Sequence, residues 1–124
     1  MPVVLCVDDD RTGLALRKLI LETQGYVVLT ATSGPGGLEI VRRMAVDAVV
    51  LDFQMPAMDG IQVAKILRAE RPGLPIIMLS GSGEVPAAAL SIVNEYLQKS
   101  APELPRSLDQ SLRRLTSRRF HNAA

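Results

Sequence analysis

Short apolar runs alternate along this chain with longer stretches in which apolar residues recur at helical spacing, and this alternation strongly constrains the fold. Each run has the length and composition of a buried strand. Parallel strands need crossover connections, and those crossovers are usually helical. The sequence therefore predicts an α/β fold with a five-stranded parallel sheet and helices on both faces, the strands being Val3–Val7, Val27–Ala31, Val49–Asp52, Ile76–Ser80 and Tyr96–Gln98.

The stretches that follow the strands predict five helices. Gly25 ends the first helix, and Pro86 can occupy the first turn of the fourth. Ser33–Gly37 is glycine-rich but lacks the Lys-Ser/Thr ending of a triphosphate-binding loop, so it is interpreted as a turn. The predicted helices are about Thr12–Gln24, Leu38–Met44, Ile61–Glu70, Pro86–Val93, and a last one from near Glu103 or Arg106 to about Arg118, with a frayed tail from about residue 119.

The third predicted strand ends on a carboxylate, Asp52. In open α/β sheets, ligands bind in the crevice outside the carboxyl ends of the strands, so a reactive side chain there would be accessible. Pro56 and the pair Asp59-Gly60 follow directly, and each favours a turn over continued strand or helix. Asp52 is therefore a candidate functional residue at this edge of the sheet.

A second acidic cluster, Asp8-Asp9-Asp10, follows the first predicted strand. If both strands belong to one parallel sheet, the two groups of carboxylates meet at one edge. Such carboxylates repel one another, so either some take up protons or a hard cation lies among them, and Mg²⁺ suits this donor set. A plainer alternative is that Asp10 caps the next helix while Asp8 and Asp9 are solvated. We favour the cap for Asp10 and the metal for Asp8 and Asp9.

Two further polar side chains lie at the ends of predicted strands. Ser80 ends the fourth run with a hydroxyl group, and Lys99 follows the fifth with an ammonium group. One edge of the sheet could thus hold carboxylates, a hydroxyl and a cation. This convergence is much more specific than any single motif.

Composition narrows the class of protein. The 124 residues, 48% of them hydrophobic, suit one domain over residues 1–124, and a net charge of +1 gives no global field that favours nucleic acid. The single cysteine, Cys6, excludes an internal disulfide and is predicted as a small core residue. No apolar run approaches the roughly 20 residues of a membrane helix, and the start lacks a signal peptide, so we expect a cytoplasmic protein without membrane contact. The basic cluster at Arg113, Arg114, Arg118 and Arg119 is interpreted as a solvated helix end, so nucleic acid is not expected as a partner.

Along nearly its whole length the chain resembles the receiver domain of two-component response regulators. The pieces that carry the resemblance are Val7-Asp8-Asp9, Leu51-Asp52, Met55–Gly60, Leu79-Ser80-Gly81 and Tyr96–Lys99. The resemblance implies a flavodoxin-like, doubly wound sheet with strand order 2-1-3-4-5. It also implies a single-domain phosphoprotein that signals through a downstream protein partner and turns over no outside substrate, unless the chain is part of a longer protein.

The same resemblance implies a role for each site residue. Asp52 would accept a phosphoryl group from a histidine kinase or phosphotransfer protein. Mg²⁺ would be held by Asp8, Asp9, Asp52 and the backbone carbonyl of Gln54. Ser80 would bond a phosphoryl oxygen, Lys99 would pair with the phosphate, and Tyr96 would be the aromatic switch. The alternatives are a solvated Lys99 and a fixed core aromatic at Tyr96, and Gln54 and Ser82 are expected to flank the path of the hydrolytic water.

Two features depart from the family pattern. The residue after Lys99 is Ser100 where receivers usually have a proline joined through a cis bond; a cis bond before a non-proline residue costs about 3 kcal/mol, so we predict a trans bond. The interval from Ser80 to Lys99 is also about one helical turn shorter than usual. The segment Glu84–Val93 is alanine-rich and has no basic residue. We therefore expect a shortened fourth-helix region, and no symmetric dimer through it on phosphorylation.

Two rival functions stay open at this point. A receiver-shaped interaction module that is never phosphorylated would explain the unusual Lys99-Ser100 corner and the short fourth helix, although the retained site residues speak against it. A phosphatase of the haloacid dehalogenase type would form an aspartyl phosphate as well, but it needs a second Asp two residues after the nucleophile. That position is Gln54, which disfavours the enzyme.

Overall fold

The computed structural model describes residues 1–81 and 87–123, with side chains as far as residue 117. Its elements alternate strictly between strand and helix. They are β1 Val3–Val7, α1 Arg11–Thr23, β2 Val27–Ala31, α2 Gly34–Arg43, β3 Ala48–Asp52, α3 Gly60–Glu70, β4 Ile76–Ser80, α4 Ala87–Leu90, β5 Glu95–Gln98 and α5 Leu104–Ala123. All strand pairs are parallel, in the order β2-β1-β3-β4-β5. The predicted α/β class and strand order are confirmed.

Two apolar layers sandwich the sheet, because successive residues of a strand point to opposite faces. On one face, Leu5 of β1 and Leu51 of β3 pack with the buried side of α2 and α3. On the other face, Cys6 and Val50 pack with α1 and α5. Both β3 and β4 are buried along their whole length, as expected of central parallel strands, and the prediction that Cys6 is a core residue is confirmed.

The predicted turn at Ser33–Gly37 was wrong, because this segment begins α2. Ser33 is the N-cap residue, and its hydroxyl accepts a hydrogen bond of 3.1 Å from the backbone N–H of Gly36. Pro35 lies in the first helical turn, where its missing N–H costs no hydrogen bond. Gly37 lies against β1, and a Cβ there would come within 2.8 Å of Val7 Cγ2. Glycine is used here for close packing of the helix on the sheet.

Other helix ends differ from the sequence prediction by smaller amounts. Asp10 occupies the N-cap position of α1, but its side chain makes no capping hydrogen bond, so that part of the prediction was wrong. Helix α5 continues to Ala123, beyond the predicted end near Arg118. Helix α4 ends at Leu90 rather than Val93, and its predicted first residue, Pro86, lies outside the described residues. The fourth-helix region is short, as expected.

One arginine organises the backbone around this short region. The guanidinium group of Arg68, on α3, donates to the carbonyl oxygens of Pro72 (2.8 Å), Leu74 (2.7 Å) and Ile92 (3.0 Å) and to Asn94 Oδ1 (2.8 Å). The same Asn94 oxygen also accepts a hydrogen bond from the N–H of Ile76. Arg68 thus ties the loop before β4 to the segment that connects α4 with β5.

Within residues 1–81 and 87–123, no helix is both long enough and apolar enough to cross a lipid bilayer.

Candidate functional site

The carboxyl ends of β1, β3, β4 and β5 meet at one edge of the sheet, because these strands are neighbours in the observed order. Backbone hydrogen bonds extend the strand pairing to the residues at this edge. The N–H of Asp8 donates to the carbonyl of Ala31 at 3.1 Å, and the N–H of Lys99 donates to the carbonyl of Ser80 at 2.8 Å. The residues predicted to form one site are therefore held by the regular part of the fold.

Three aspartates converge at this edge. Asp8 is fully buried and Asp52 is 5% exposed, whereas Asp9 is exposed. One carboxylate oxygen from each lies within 4.8 Å of those of the other two. The structure therefore brings together the three carboxylates that the sequence placed at one edge.

Lys99 lies over the two buried carboxylates. Its Nζ is 2.8 Å from Asp8 Oδ2 and 3.4 Å from Asp52 Oδ2. This contact excludes the alternative of a solvated lysine in this structure. The peptide bond from Lys99 to Ser100 is trans, as predicted, so the lysine reaches the acids without a cis bond.

The sequence analysis missed a second cation, Arg17 of α1. Its Nη1 is 3.2 Å from Asp8 Oδ2, and its side chain is only 10% exposed. Arg17 lies at helical spacing from Leu14 and Leu21, the two buried residues of α1. That spacing was the available signal: it places Arg17 on the face of the helix that turns toward the sheet.

Burial, hydrogen bonds and neighbouring charges shift the pKa values of the two buried acids, Asp8 and Asp52, in opposite directions. Burial, followed by the charge of Asp8, raises the pKa of Asp52 to about 6, against the opposing effect of Lys99. Burial also acts to raise the pKa of Asp8, but the hydrogen bonds from Lys99 and the Asp10 N–H and the charge of Arg17 outweigh it and lower that pKa. Burial opposes the charge of Lys99, yet its contacts with Asp8 and Asp52 raise its pKa. Asp8 and Lys99 thus form the stable ion pair, and Asp52 is the more basic carboxylate.

The loop from β3 to α3 forms the open side of the site. Gln54 is exposed there, and an open hollow of about 380 Å³ is lined by Phe53, Gln54, Met55, Pro56 and Asp59. Helix α3 begins against this loop: a Cβ on Gly60 would lie 2.5 Å from the carbonyl oxygen of Asp52. Asp59 caps the helix by accepting a hydrogen bond from the N–H of Gln62 at 2.9 Å. The backbone beside Asp52 is therefore tightly constrained.

The two predicted switch residues lie on adjacent strands. Ser80 is fully buried at the end of β4. Tyr96 pairs with Met78 across the β4–β5 ladder, and its ring packs against the apolar layer that contains α2 and α3. The Tyr96 hydroxyl is buried, and no hydrogen-bond partner for it occurs among the described residues. Ser82, the other residue expected near the hydrolytic water, lies outside the described residues.

The donor set fits a magnesium ion. Mg²⁺ is bound in proteins by oxygen ligands, commonly one or two carboxylates that leave room for waters and phosphate oxygens. Asp8, Asp9 and Asp52 offer three such oxygens close together, and the exposed Asp9 leaves the group open to solvent. Three negative charges face two positive ones, Lys99 and Arg17, so an additional cation is electrostatically favourable.

The fold and the site define a doubly wound α/β domain with a cluster of carboxylates and a lysine at the carboxyl edge of its sheet. Comparison with protein families is specific: the model of the response regulator receiver domain matches residues 4–106. The chain belongs to this family.

Individual relatives agree with the assignment. The chain is 32% identical to the Bacillus subtilis alkaline phosphatase synthesis transcriptional regulatory protein PhoP, covering 93% of this chain and 48% of that protein. It is 35% identical to the Mycobacterium leprae response regulator MprA over 90% of this chain and 48% of the relative. The Escherichia coli transcriptional regulatory protein GlrR is 42% identical over 68% of this chain and 19% of that protein. The chain thus spans half or less of these relatives.

Solved structures give the same result for the fold. A response regulator receiver domain protein from Clostridium thermocellum superposes with a TM-score of 0.88 at 28% identity, covering 97% of this chain and 98% of that one. The response regulator TrrA from Thermotoga maritima, solved in complex with Mg²⁺ and BeF, has a TM-score of 0.85 at 28% identity over 93% and 99% of the two chains.

Proposed function

We propose that this protein is a phosphoacceptor switch in which Asp52 takes a phosphoryl group from a histidine kinase or a phosphotransfer protein. The observation that carries the proposal is the position of Asp52 beside Asp8, Asp9 and Lys99 at the edge of the sheet. Family membership supports it, as does a relative that was solved with Mg²⁺ and BeF.

The chemistry follows from the environment of Asp52. An oxygen of its carboxylate attacks phosphorus, an O–P bond forms, and the P–N bond to the donor imidazole breaks with its electron pair left on nitrogen. A pKa of about 6 leaves Asp52 ionised at neutral pH while making it more basic than an ordinary aspartate. Lys99 lies close enough to pair with the phosphoryl oxygens. Phosphoryl transfer is mostly positioning and charge neutralisation, so these residues supply what the reaction needs.

Magnesium would be held by Asp8, Asp9, Asp52 and the backbone carbonyl of Gln54, and it would offset charge on the phosphoryl group. Asp8 remains ionised because of Lys99 and Arg17, so it is available as an oxygen donor. The protein assists only its own phosphorylation and dephosphorylation, and it turns over no separate substrate. Gln54, exposed at the mouth of the site, would influence the lifetime of the phosphorylated state.

The response would pass through the β4–β5 edge. Ser80 would bond a phosphoryl oxygen, and Tyr96 would adjust its ring to the new position of the loop after β4. The Tyr96 hydroxyl supports this role: it is buried and has no hydrogen-bond partner among the described residues, and a rearrangement that gives such a group a partner stabilises it. The surface formed by α4, β5 and α5 would then present the change to a downstream protein.

The test is the intact mass of the protein after incubation with acetyl phosphate and Mg²⁺. We expect one phosphate adduct, which is lost in Asp52→Asn and in a magnesium-free sample. Asp47→Asn is the matched control: Asp47 accepts a hydrogen bond from the N–H of Val3 at the opposite end of the sheet, so this variant should keep the adduct. An adduct that persists in Asp52→Asn would place the acceptor elsewhere.

A second candidate function is a receiver-shaped interaction module that is not phosphorylated. The observation that favours it is the four-residue helix α4, which changes the surface through which a phosphorylation signal would leave the domain. The same experiment separates the two functions. A folded protein that gains no adduct with acetyl phosphate under any condition would support the interaction module.

A further inference from the structure

Asp8 shares one carboxylate oxygen between two cations. Its Oδ2 is 2.8 Å from Lys99 Nζ and 3.2 Å from Arg17 Nη1, while its Oδ1 accepts a hydrogen bond of 2.9 Å from the N–H of Asp10. Asp8 is fully buried, so these contacts are shielded from water. The proposed function uses Lys99 as the partner of the phosphate but gives Arg17 no role.

The position of Arg17 is costly for a residue without a function. It occupies the inward face of α1 in line with Leu14 and Leu21, where an apolar side chain would pack without loss of hydration. The guanidinium group brings a positive charge and several hydrogen-bond donors to the edge of the site. Its guanidinium group contacts an oxygen of one of the three carboxylates that lie close enough to share a cation.

We propose that Arg17 is a positioning residue that weakens magnesium binding by competing with the metal for Asp8. Both cations favour the same buried carboxylate, and a divalent ion held by Asp8 is repelled by a guanidinium group on the same oxygen. Arg17 therefore offsets part of the negative charge of the metal-free site and raises the magnesium concentration at which the site fills. The inference rests on the magnesium site of the proposed function, but it does not require phosphorylation.

The test is the dissociation constant of Mg²⁺ for the unphosphorylated, metal-free protein, measured by isothermal titration calorimetry. Removing a charge at this distance is expected to tighten binding by about tenfold in Arg17→Gln, while Arg17→Lys keeps the charge and stays near the native affinity. Lys18→Gln is the matched control. Lys18 is the next residue of α1, but its partner is the exposed Glu22, so its removal should change the affinity by less than about twofold.

A merely structural role for Arg17 predicts that magnesium affinity does not increase when its charge is removed. If Arg17 only holds Asp8 in place, Arg17→Gln loosens the site, and magnesium binds more weakly or with native affinity; either result would overturn the proposal. Arg17→Leu extends the apolar stripe of α1 and provides a second uncharged variant if Arg17→Gln does not fold. Magnesium binding to neither the native protein nor the uncharged variants would also reject it. The mass measurement with acetyl phosphate reports the adduct and not the affinity, so a normal adduct beside unchanged or weaker magnesium binding in Arg17→Gln would overturn this proposal and leave the phosphoacceptor function standing.

Discussion

Ala57, in the loop between β3 and α3, has a positive φ of 67°, and it is the one residue other than glycine with a positive φ in the described part of the chain. The N–H of Met58 donates to the carbonyl of Pro56 at 2.7 Å, which closes a three-residue turn around Ala57. Turns of this kind with a positive central φ are strained for residues that carry a Cβ. The strain lies a few residues from Asp52, in the loop that forms the open side of the site.

Replacing Ala57 by glycine should relieve this strain. We expect Ala57→Gly to raise the free energy of unfolding by about 1 kcal/mol, measured by urea denaturation, because glycine adopts a positive φ without a steric penalty. A lower stability in Ala57→Gly would show that the entropy of the unfolded chain outweighs the strain.

Gly25 provides the reciprocal control. It has a φ of +101° at the end of α1, and no atom lies within 4 Å of the position that a Cβ would take. Gly25→Ala should therefore destabilise the protein by about 1–2 kcal/mol through backbone conformation alone. Gly73→Ala, which also meets open space but needs no positive φ, should have little effect on the urea midpoint.

At the residue scale, the sequence predicted the acids and the lysine because each follows directly from a strand end. Strand ends are readable from short apolar runs, and the parallel sheet brings them together. Arg17 could not be placed in the same way, because its position depends on how α1 is rotated on the sheet. The side-chain cap expected of Asp10 also failed, since a cap depends on a rotamer that the sequence does not specify.

The connection from α4 to β5 follows the shortest helix of the described chain. Helix α4 has four residues. Directly after it, the N–H groups of Ile92 and Val93 both donate to the carbonyl of Ala89. So short a helix has little hydrogen bonding of its own to hold it in place. Two of the four hydrogen bonds of Arg68, those to Ile92 and Asn94, hold the segment that follows this helix.

Arg68→Lys should therefore loosen the segment between α4 and β5. Lysine keeps the charge but cannot reproduce the planar fork of donors, so we expect a loss of about 2 kcal/mol in the free energy of unfolding and faster hydrogen exchange at Asn94. Arg43→Lys is the control, because Arg43 is 76% exposed and pairs only with Glu39 on the same helix among the described residues. Equal exchange rates in both variants would argue against the role of Arg68.

At the element scale, the prediction of strands was more accurate than that of helix ends. A buried strand is bounded by the point at which hydrophobic residues stop, which the sequence displays. The start of α2 was missed because Ser33–Gly37 has the composition of a turn, although a capping serine followed by proline also begins a helix. The end of α4 was placed too late, because the apolar residues after it pack against the core in a turn.

On the scale of the whole molecule, a polar network joins α5 to the residues just before β2, on the face of the sheet that packs with α1 and α5. The hydroxyl of Tyr26 donates to Asp109 Oδ1 at 2.9 Å, and Arg113 Nε donates to the same oxygen at 2.9 Å. Arg113 also donates to the carbonyl of Gln24 at 3.2 Å. Burial, followed by the hydrogen bond to Asp109 and its charge, raises the pKa of Tyr26.

This network predicts a loss of stability in alkali. The folded state binds the phenolic proton more tightly than the unfolded state, so the free energy of unfolding falls as the pH rises above about 10, the ordinary pKa of tyrosine. Tyr26→Phe should be about 1 kcal/mol less stable at neutral pH but should lose less stability between neutral pH and alkali. Urea denaturation of both proteins across this range checks the slopes. Parallel slopes would mean that Tyr26 titrates alike in the folded and unfolded states.

The pairing of Lys99 with Asp8 and Asp52 has a consequence for the biosynthesis of this protein. Asp8 and Asp52 are made early, whereas the lysine that lies over them follows the last strand. Until β5 joins the sheet, a nascent chain has Arg17 beside Asp8 but lacks the lysine that contacts both Asp8 and Asp52. Under the proposed function, the phosphoacceptor site would therefore be complete only in a chain whose synthesis has passed β5.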